Sequence, residues 1–225
     1  GYIYLLVASF IATPILIHSL GLAQFGQYVL IIATLTLLSS FDLGLPQAVV
    51  RALVRTNNQN ERQQLWATSS NLFVLTGFIS AAIVLAILSP LHLHPAIFAL
   101  IFCIALLNNL VSHYSTLPQS TGHFGYYNTK TFIVGTGNTL LSAYLASASF
   151  LAIFYGLLIT YLICLFILAY FSLKYFPRPW TYRPRYGLAR TLISFGLRNQ
   201  VGKIAGQIQA QYAKYLLTSL SALAL

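Results

Sequence analysis

Residues 131–173 read TFIVGTGNTLLSAYLASASFLAIFYGLLITYLICLFILAYFSL, a single apolar run bounded by Lys130 and Lys174. As one helix at 1.5 Å per residue it would be about 64 Å long, twice the roughly 30 Å of a bilayer's hydrocarbon core. The run therefore predicts two spans, with a tight turn near Ala146-Ser147-Ala148-Ser149, although no Gly or Pro marks that point. The composition carries the same reading to the whole chain. Of 225 residues, 58% are hydrophobic and 6% charged, and the mean hydropathy is +0.76, whereas a soluble domain is about one quarter charged. A soluble globular domain is excluded. The fold class this predicts is all-α, a polytopic transmembrane helix bundle.

Outward from that run, turn chemistry divides the rest into further spans. The first covers about residues 1–20 and ends in Leu20-Gly21-Leu22-Ala23-Gln24-Phe25-Gly26; the second covers about 27–54, with a kink at Gly44-Leu45-Pro46. Residues 55–62, the most polar stretch, predict a water-exposed loop. Spans at about 65–88 and 96–117 follow, separated by Ser89-Pro90-Leu91-His92-Leu93-His94-Pro95. Residues 118–128 predict another loop, and the Pro-rich residues 177–185 cannot be helical. A seventh, more polar segment runs from about Arg190 to the end. The domains expected are an N-terminal lobe of six helices over 1–177, a cytoplasmic loop over 178–189, and a seventh helix over 190–225 that opens a second lobe. The chain begins at Gly1 without Met and stops inside an apolar segment, which reads as a fragment of a longer protein.

The charge is one-sided, with 12 Lys and Arg against Asp42 and Glu61. On a soluble fold this would suggest nucleic acid, but these residues sit in short gaps between apolar stretches, where they act as orientation signals. Arg51, Arg55, Arg62, Lys130, Lys174, Arg178, Arg183, Arg185 and Arg190 flank alternate connections, and the remaining connections carry no basic residue. The expected location is the inner (cytoplasmic) membrane, multi-pass, with the N-terminus cytoplasmic. Trp66, Tyr126, Tyr127, Trp180, Tyr182 and Tyr186 fall at the expected interfaces. Cys103 and Cys164 read as ordinary buried small residues.

Catalysis by acid–base pairs, nucleophilic triads or metal clusters needs residues this chain hardly has. His92-x-His94 lacks a third ligand and reads as a polar turn. Gly135-Thr136-Gly137 lacks a phosphate-binding context and reads as a packing or kink site, and no Walker A spacing occurs. The expectation is a protein that is not an enzyme, with no cofactor and no metal. Asp42 is the one acid within an expected span, where a charge costs about 2.5–3.5 kcal/mol on insertion scales. It either gates or couples an ion, or it hydrogen-bonds backbone freed beside Pro46. In the seventh segment Gln200, Lys203, Gln207, Gln211 and Lys214 share an arc of about 80° on a helical wheel. This stripe lines a cationic lumen suited to an anionic substrate, or else belongs to an amphipathic helix lying on the membrane face.

Leu20-Gly21 with Phe25-Gly26-Gln27-Tyr28, followed by Asp42-Leu43-Gly44-Leu45 with Ala48 and Arg51, resembles the start of the bacterial polysaccharide biosynthesis flippases. These belong to the multidrug, oligosaccharidyl-lipid and polysaccharide exporter superfamily. Ile193-Ser194-Phe195-Gly196-Leu197 resembles that family's seventh helix, and Pro46 departs from its second-helix motif. The resemblance implies two six-helix lobes around a lumen, here the first lobe plus the first helix of the second. It also implies translocation of an undecaprenyl-pyrophosphate-linked oligosaccharide for polysaccharide or O-antigen biosynthesis. Partners would be that substrate, membrane lipid and other polysaccharide-assembly proteins, with no nucleic acid. On this reading Lys203, Gln207, Gln211, Lys214 and Gln200 line the substrate path, and Asp42 gates or couples ions. The alternatives are a multidrug-type exporter of the same superfamily and a membrane-embedded glycan polymerase or transferase.

Overall fold

The computed structural model describes residues 2–39, 42–176 and 184–200, and among these every regular element is helical. In chain order they are α1 (Tyr2–Ser39), α2 (Leu45–Arg55), α3 (Gln59–Leu88), α4 (Pro95–Ser120), α5 (Phe124–Thr136), α6 (Ser142–Ala146) and α7 (Phe150–Leu173). Residues 186–200 form α8. A π-helical segment, Gly137–Leu141, joins α5 to α6 as one rod, and Ser147 and Ala148 form the turn into α7. Four stretches are long and apolar enough to cross a membrane: Ile3–Thr36, Gln59–Leu91, Pro95–Ser120 and Phe150–Leu173. The protein is an all-α, polytopic membrane bundle.

α1 is not straight. Gly21, at φ 71° and ψ 164°, interrupts it with a conformation that is essentially confined to glycine. Leu5 lies against Gly135, and the Tyr28 hydroxyl donates to the Asn138 carbonyl at 2.7 Å. In a straight helix residues 5 and 28 would be about 35 Å apart, yet they meet the same rod three positions apart. The chain therefore doubles back at Gly21, and the turn expected over residues 20–26 shrinks to one residue.

Other boundaries also differ from expectation. The kink at Gly44-Leu45-Pro46 is a full interruption: Leu43 and Gly44 both have left-handed φ, 53° and 64°, and Pro46 stands in the first turn of α2, where its missing N–H is no loss. Half of the polar stretch 55–62 is the start of α3, which begins at Gln59 because the Asn58 side chain accepts from the Asn60 N–H at 3.0 Å and caps it. The loop expected over 118–128 is reduced to residues 121–123. α8 begins at residue 186, inside the segment expected to be loop. Cys103 is exposed rather than buried. Trp66 is 1% exposed, packed inside the bundle.

Packing forms two clusters. The larger joins Ala12, Leu16 and Ile31 of α1 to Ala81 and Val84 of α3, Ile101 and Ile104 of α4, and Phe154 and Leu157 of α7. In a bilayer such contacts rest on close van der Waals fit, since lipid is as apolar as the core. The smaller buries the Leu45, Ala48, Val49 and Leu53 face of α2 against Trp66, Phe73, Leu117, Phe176 and Leu192. Within it Trp66 stacks on Phe176 at 5.0 Å and lies 4.1 Å from the His113 ring. Several threonine hydroxyls in the helices are satisfied locally. Thr34, Thr76, Thr139 and Thr160 each donate to the carbonyl four residues back.

α8 docks on this second cluster. A Cβ on Gly44 would strike the Gly196 carbonyl, and a Cβ on Gly196 would strike the Leu43 carbonyl. Two glycines thus bring the Asp42–Gly44 turn and α8 into backbone contact. Beside them the Arg51 guanidinium lies 4.3 Å from the centre of the Phe195 ring.

Candidate functional site

A cavity of about 390 Å³ opens within the bundle, and its walls are polar. α4 supplies Asn108, Ser112, Ser115 and Gln119, positions i, i+4, i+7 and i+11 on one helical face. From Asn108 to Gln119 this stripe is about 16 Å long, half the hydrocarbon thickness. The α5 rod faces it with Tyr127, Lys130, Thr131 and Asn138, and α7 adds Tyr161. Thr36, Asp42 and Gln47 close the side formed by α1 and α2.

Among the described residues Lys130 is the cation that lines this cavity. Its ammonium donates to Ser112 Oγ at 2.7 Å, and the Ser115 hydroxyl donates to the Ser112 carbonyl at 2.7 Å. The sequence had placed Lys130 among the flanking orientation charges; the structure puts it inside the bundle instead. The α4 stripe is readable from its 3.6-residue spacing, although Asn109, His113 and Thr116 in the same stretch lie off that face and blur it in the sequence.

The π segment sets the far end of the cavity. Asn138 stands within it, and Tyr28 holds the Asn138 carbonyl. Gly137 lets α7 approach: a Cβ there would meet Thr160 Cγ2 at 2.5 Å. Gly135-Thr136-Gly137 is therefore a packing site with a helical irregularity, as its sequence context indicated, and such π turns recur at functional sites.

Asp42 does two things. Its Oδ1 accepts from the Gly44 N–H at 3.0 Å and its carbonyl accepts from the Leu45 N–H at 3.0 Å, so it organises the left-handed turn. It also lines the cavity. Gln200 is buried at the end of α8 and does not line this cavity. Lys203, Gln207, Gln211 and Lys214 lie outside the described residues. At the α3–α4 turn, His92 Nδ1 lies 2.8 Å from the Pro90 carbonyl, and His94 accepts from the Ala96 N–H to cap α4. No group of metal-ligating residues occurs among the described residues.

The arrangement is an amide- and hydroxyl-rich compartment that, among the described residues, holds one cation and one acid. It is suited to holding a polar solute within a membrane. A profile of the polysaccharide biosynthesis protein family matches residues 1–224. Comparison with curated proteins and with solved structures finds no significant match. The match takes in the α1 reversal and all the cavity-forming helices, and on it the chain belongs to the polysaccharide biosynthesis protein family.

Proposed function

We propose that the protein translocates a lipid-linked oligosaccharide, carried on undecaprenyl pyrophosphate, across the cytoplasmic membrane during polysaccharide or O-antigen assembly. The observation that supports this most is the polar cavity, because a bundle that serves only as a scaffold has no use for amides, hydroxyls and a lysine between its helices. Amides and hydroxyls match sugar hydroxyls, and Lys130 matches an anionic group. The residues that the family resemblance assigns to the substrate path, Lys203, Lys214, Gln207, Gln211 and Gln200, carry the same chemistry, and Asp42 gates the cavity or couples an ion to it. Movement follows from rocking of two lobes about a central lumen. The protein acts as a carrier rather than an enzyme and needs no cofactor. Its partners are the glycolipid, the surrounding lipid and other polysaccharide-assembly proteins.

The test is export. In the full-length protein, Lys130→Gln is expected to lower surface glycan at least tenfold while membrane insertion, followed by blotting, stays unchanged; Lys130→Arg is expected to retain most export. Unchanged glycan in Lys130→Gln would refute the role of the cavity. Asp42 favours a second reading, a multidrug-type exporter, since an acid in the cavity suits a cationic solute. That reading predicts drug resistance lost in Asp42→Asn with glycan export intact.

A further inference from the structure

We propose a second binding site, for the headgroup of an anionic phospholipid, where the α4–α5 turn meets the end of α7. A pocket of about 470 Å³ there is lined by His123, Tyr126, Tyr170, Phe171, Leu173 and Lys174. It shares no residue with the cavity of α4 and α5, and it stands independently of the transport reading.

The walls are fixed by ring packing. Phe171 lies 4.4 Å from the Tyr126 ring, 5.4 Å from His123 and 5.3 Å from Tyr175. His123 Nδ1 is 3.0 Å from Thr121 Oγ1, whose own proton goes to the Leu117 carbonyl at 3.0 Å, so the ring is held in place. The polar groups at the mouth are cationic or neutral. Lys174 is exposed, Tyr126 and Tyr170 are 44% and 74% exposed, and no acidic side chain lines the pocket.

A lipid rather than a free anion is indicated by what lies below. Ile159, Ile163, Phe166, Tyr170 and Leu173 are all exposed and fall at i, i+4, i+7, i+11 and i+14 on α7, one continuous stripe about 21 Å long. The stripe ends at Tyr170 and Leu173, which also line the pocket. A cationic, hydroxyl-bearing mouth at the head of a straight apolar track has the shape of an amphiphile with one phosphate. Lys174 supplies the charge, the two phenols supply hydroxyls at headgroup level, where Tyr is favoured, and the stripe takes an acyl chain. The net charge of +10 favours an anionic over a zwitterionic headgroup.

The experiment uses the full-length protein in phosphatidylcholine nanodiscs and measures displacement of a fluorescent phosphatidylglycerol. Phosphatidylglycerol is expected to bind about fivefold more tightly than phosphatidylcholine, the factor that about 1 kcal/mol per interfacial lysine gives. The preference should fall to about one in Lys174→Gln, persist in Lys174→Arg and weaken in Tyr170→Leu. Equal affinity for the two lipids in the wild type, or an unchanged preference in Lys174→Gln, would overturn the proposal. Displacement by inorganic phosphate alone would overturn it in favour of a simple anion site. Displacement by undecaprenyl phosphate at much lower concentration would overturn it in favour of the transported lipid.

Discussion

His113 is fully buried between Trp66 and Phe73, with ring centroids 4.1 and 5.1 Å away, and neither ring nitrogen has a hydrogen-bond partner among the described residues. An unsatisfied buried polar group carries a desolvation penalty of about 1–3 kcal/mol, and an apolar group of the same shape avoids it. His113→Phe is therefore expected to leave the protein as stable or more stable, read as an equal or higher thermal unfolding midpoint in detergent. A loss of more than a few degrees would show that the imidazole has a polar partner. Trp66→Ala in the same cluster should cost about 3–5 kcal/mol. The contrast with Lys130 is one of surroundings: the lysine has a hydroxyl at 2.7 Å and a polar cavity, whereas the histidine has only rings.

At the scale of elements, the α5–α6 rod depends on how closely α7 can approach it. At Gly137 the obstacle to a larger residue is a side chain, since an added Cβ would meet Thr160 Cγ2 and Oγ1 at 2.5 and 2.7 Å. Gly137→Ala should lower stability by about 1–3 kcal/mol, as overpacking does. Adding Thr160→Ala should recover much of that, and a double-mutant cycle on unfolding midpoints measures the coupling. Additive losses would mean that the two positions do not touch. Elements of this kind were only partly legible beforehand. The reversal at Ser147 and Ala148 followed from length alone, because no apolar run of that size fits a bilayer once. The one-residue turn at Gly21 and the helical start of α3 did not, since a Gly-only dihedral and an Asn cap act below the resolution of a hydropathy window. Lys130 was misplaced because its position next to an apolar run looks the same whether the side chain points out to the interface or inward to Ser112. That Trp66 is buried against Phe176 and His113 was likewise not legible, because burial depends on which neighbours the fold supplies.

For the whole molecule, the charge pattern makes a directional prediction. Arg55 and Arg62 flank the α2–α3 turn, while the α3–α4 turn carries only His92 and His94. With Cys103 and Cys164 replaced by alanine, a cysteine at exposed Asn57 should react with an impermeant maleimide only from the cytoplasmic side, and one at exposed His92 only from outside. The opposite pattern would reverse the orientation and move the Lys130 cavity to the other face. The sequence carried the class and family of the molecule, while the cavity emerged only when α4, the α5 rod and α7 were brought together.

The paired glycines differ from Gly137 in that both obstacles are backbone carbonyls, so no truncation of a neighbouring side chain can make room. They also have a place in the history of the chain. The notch formed by Leu43 and Gly44 is synthesised about 150 residues before Gly196, which at about 5–20 residues per second is a wait of about 8–30 s. Throughout that interval the Leu43–Gly44 turn stands without the Gly196 backbone that meets it in the finished fold. Slower synthesis over residues 186–200 would lengthen the time for which that turn waits for its partner, so the contact between the two glycines is among the last that the described residues can make.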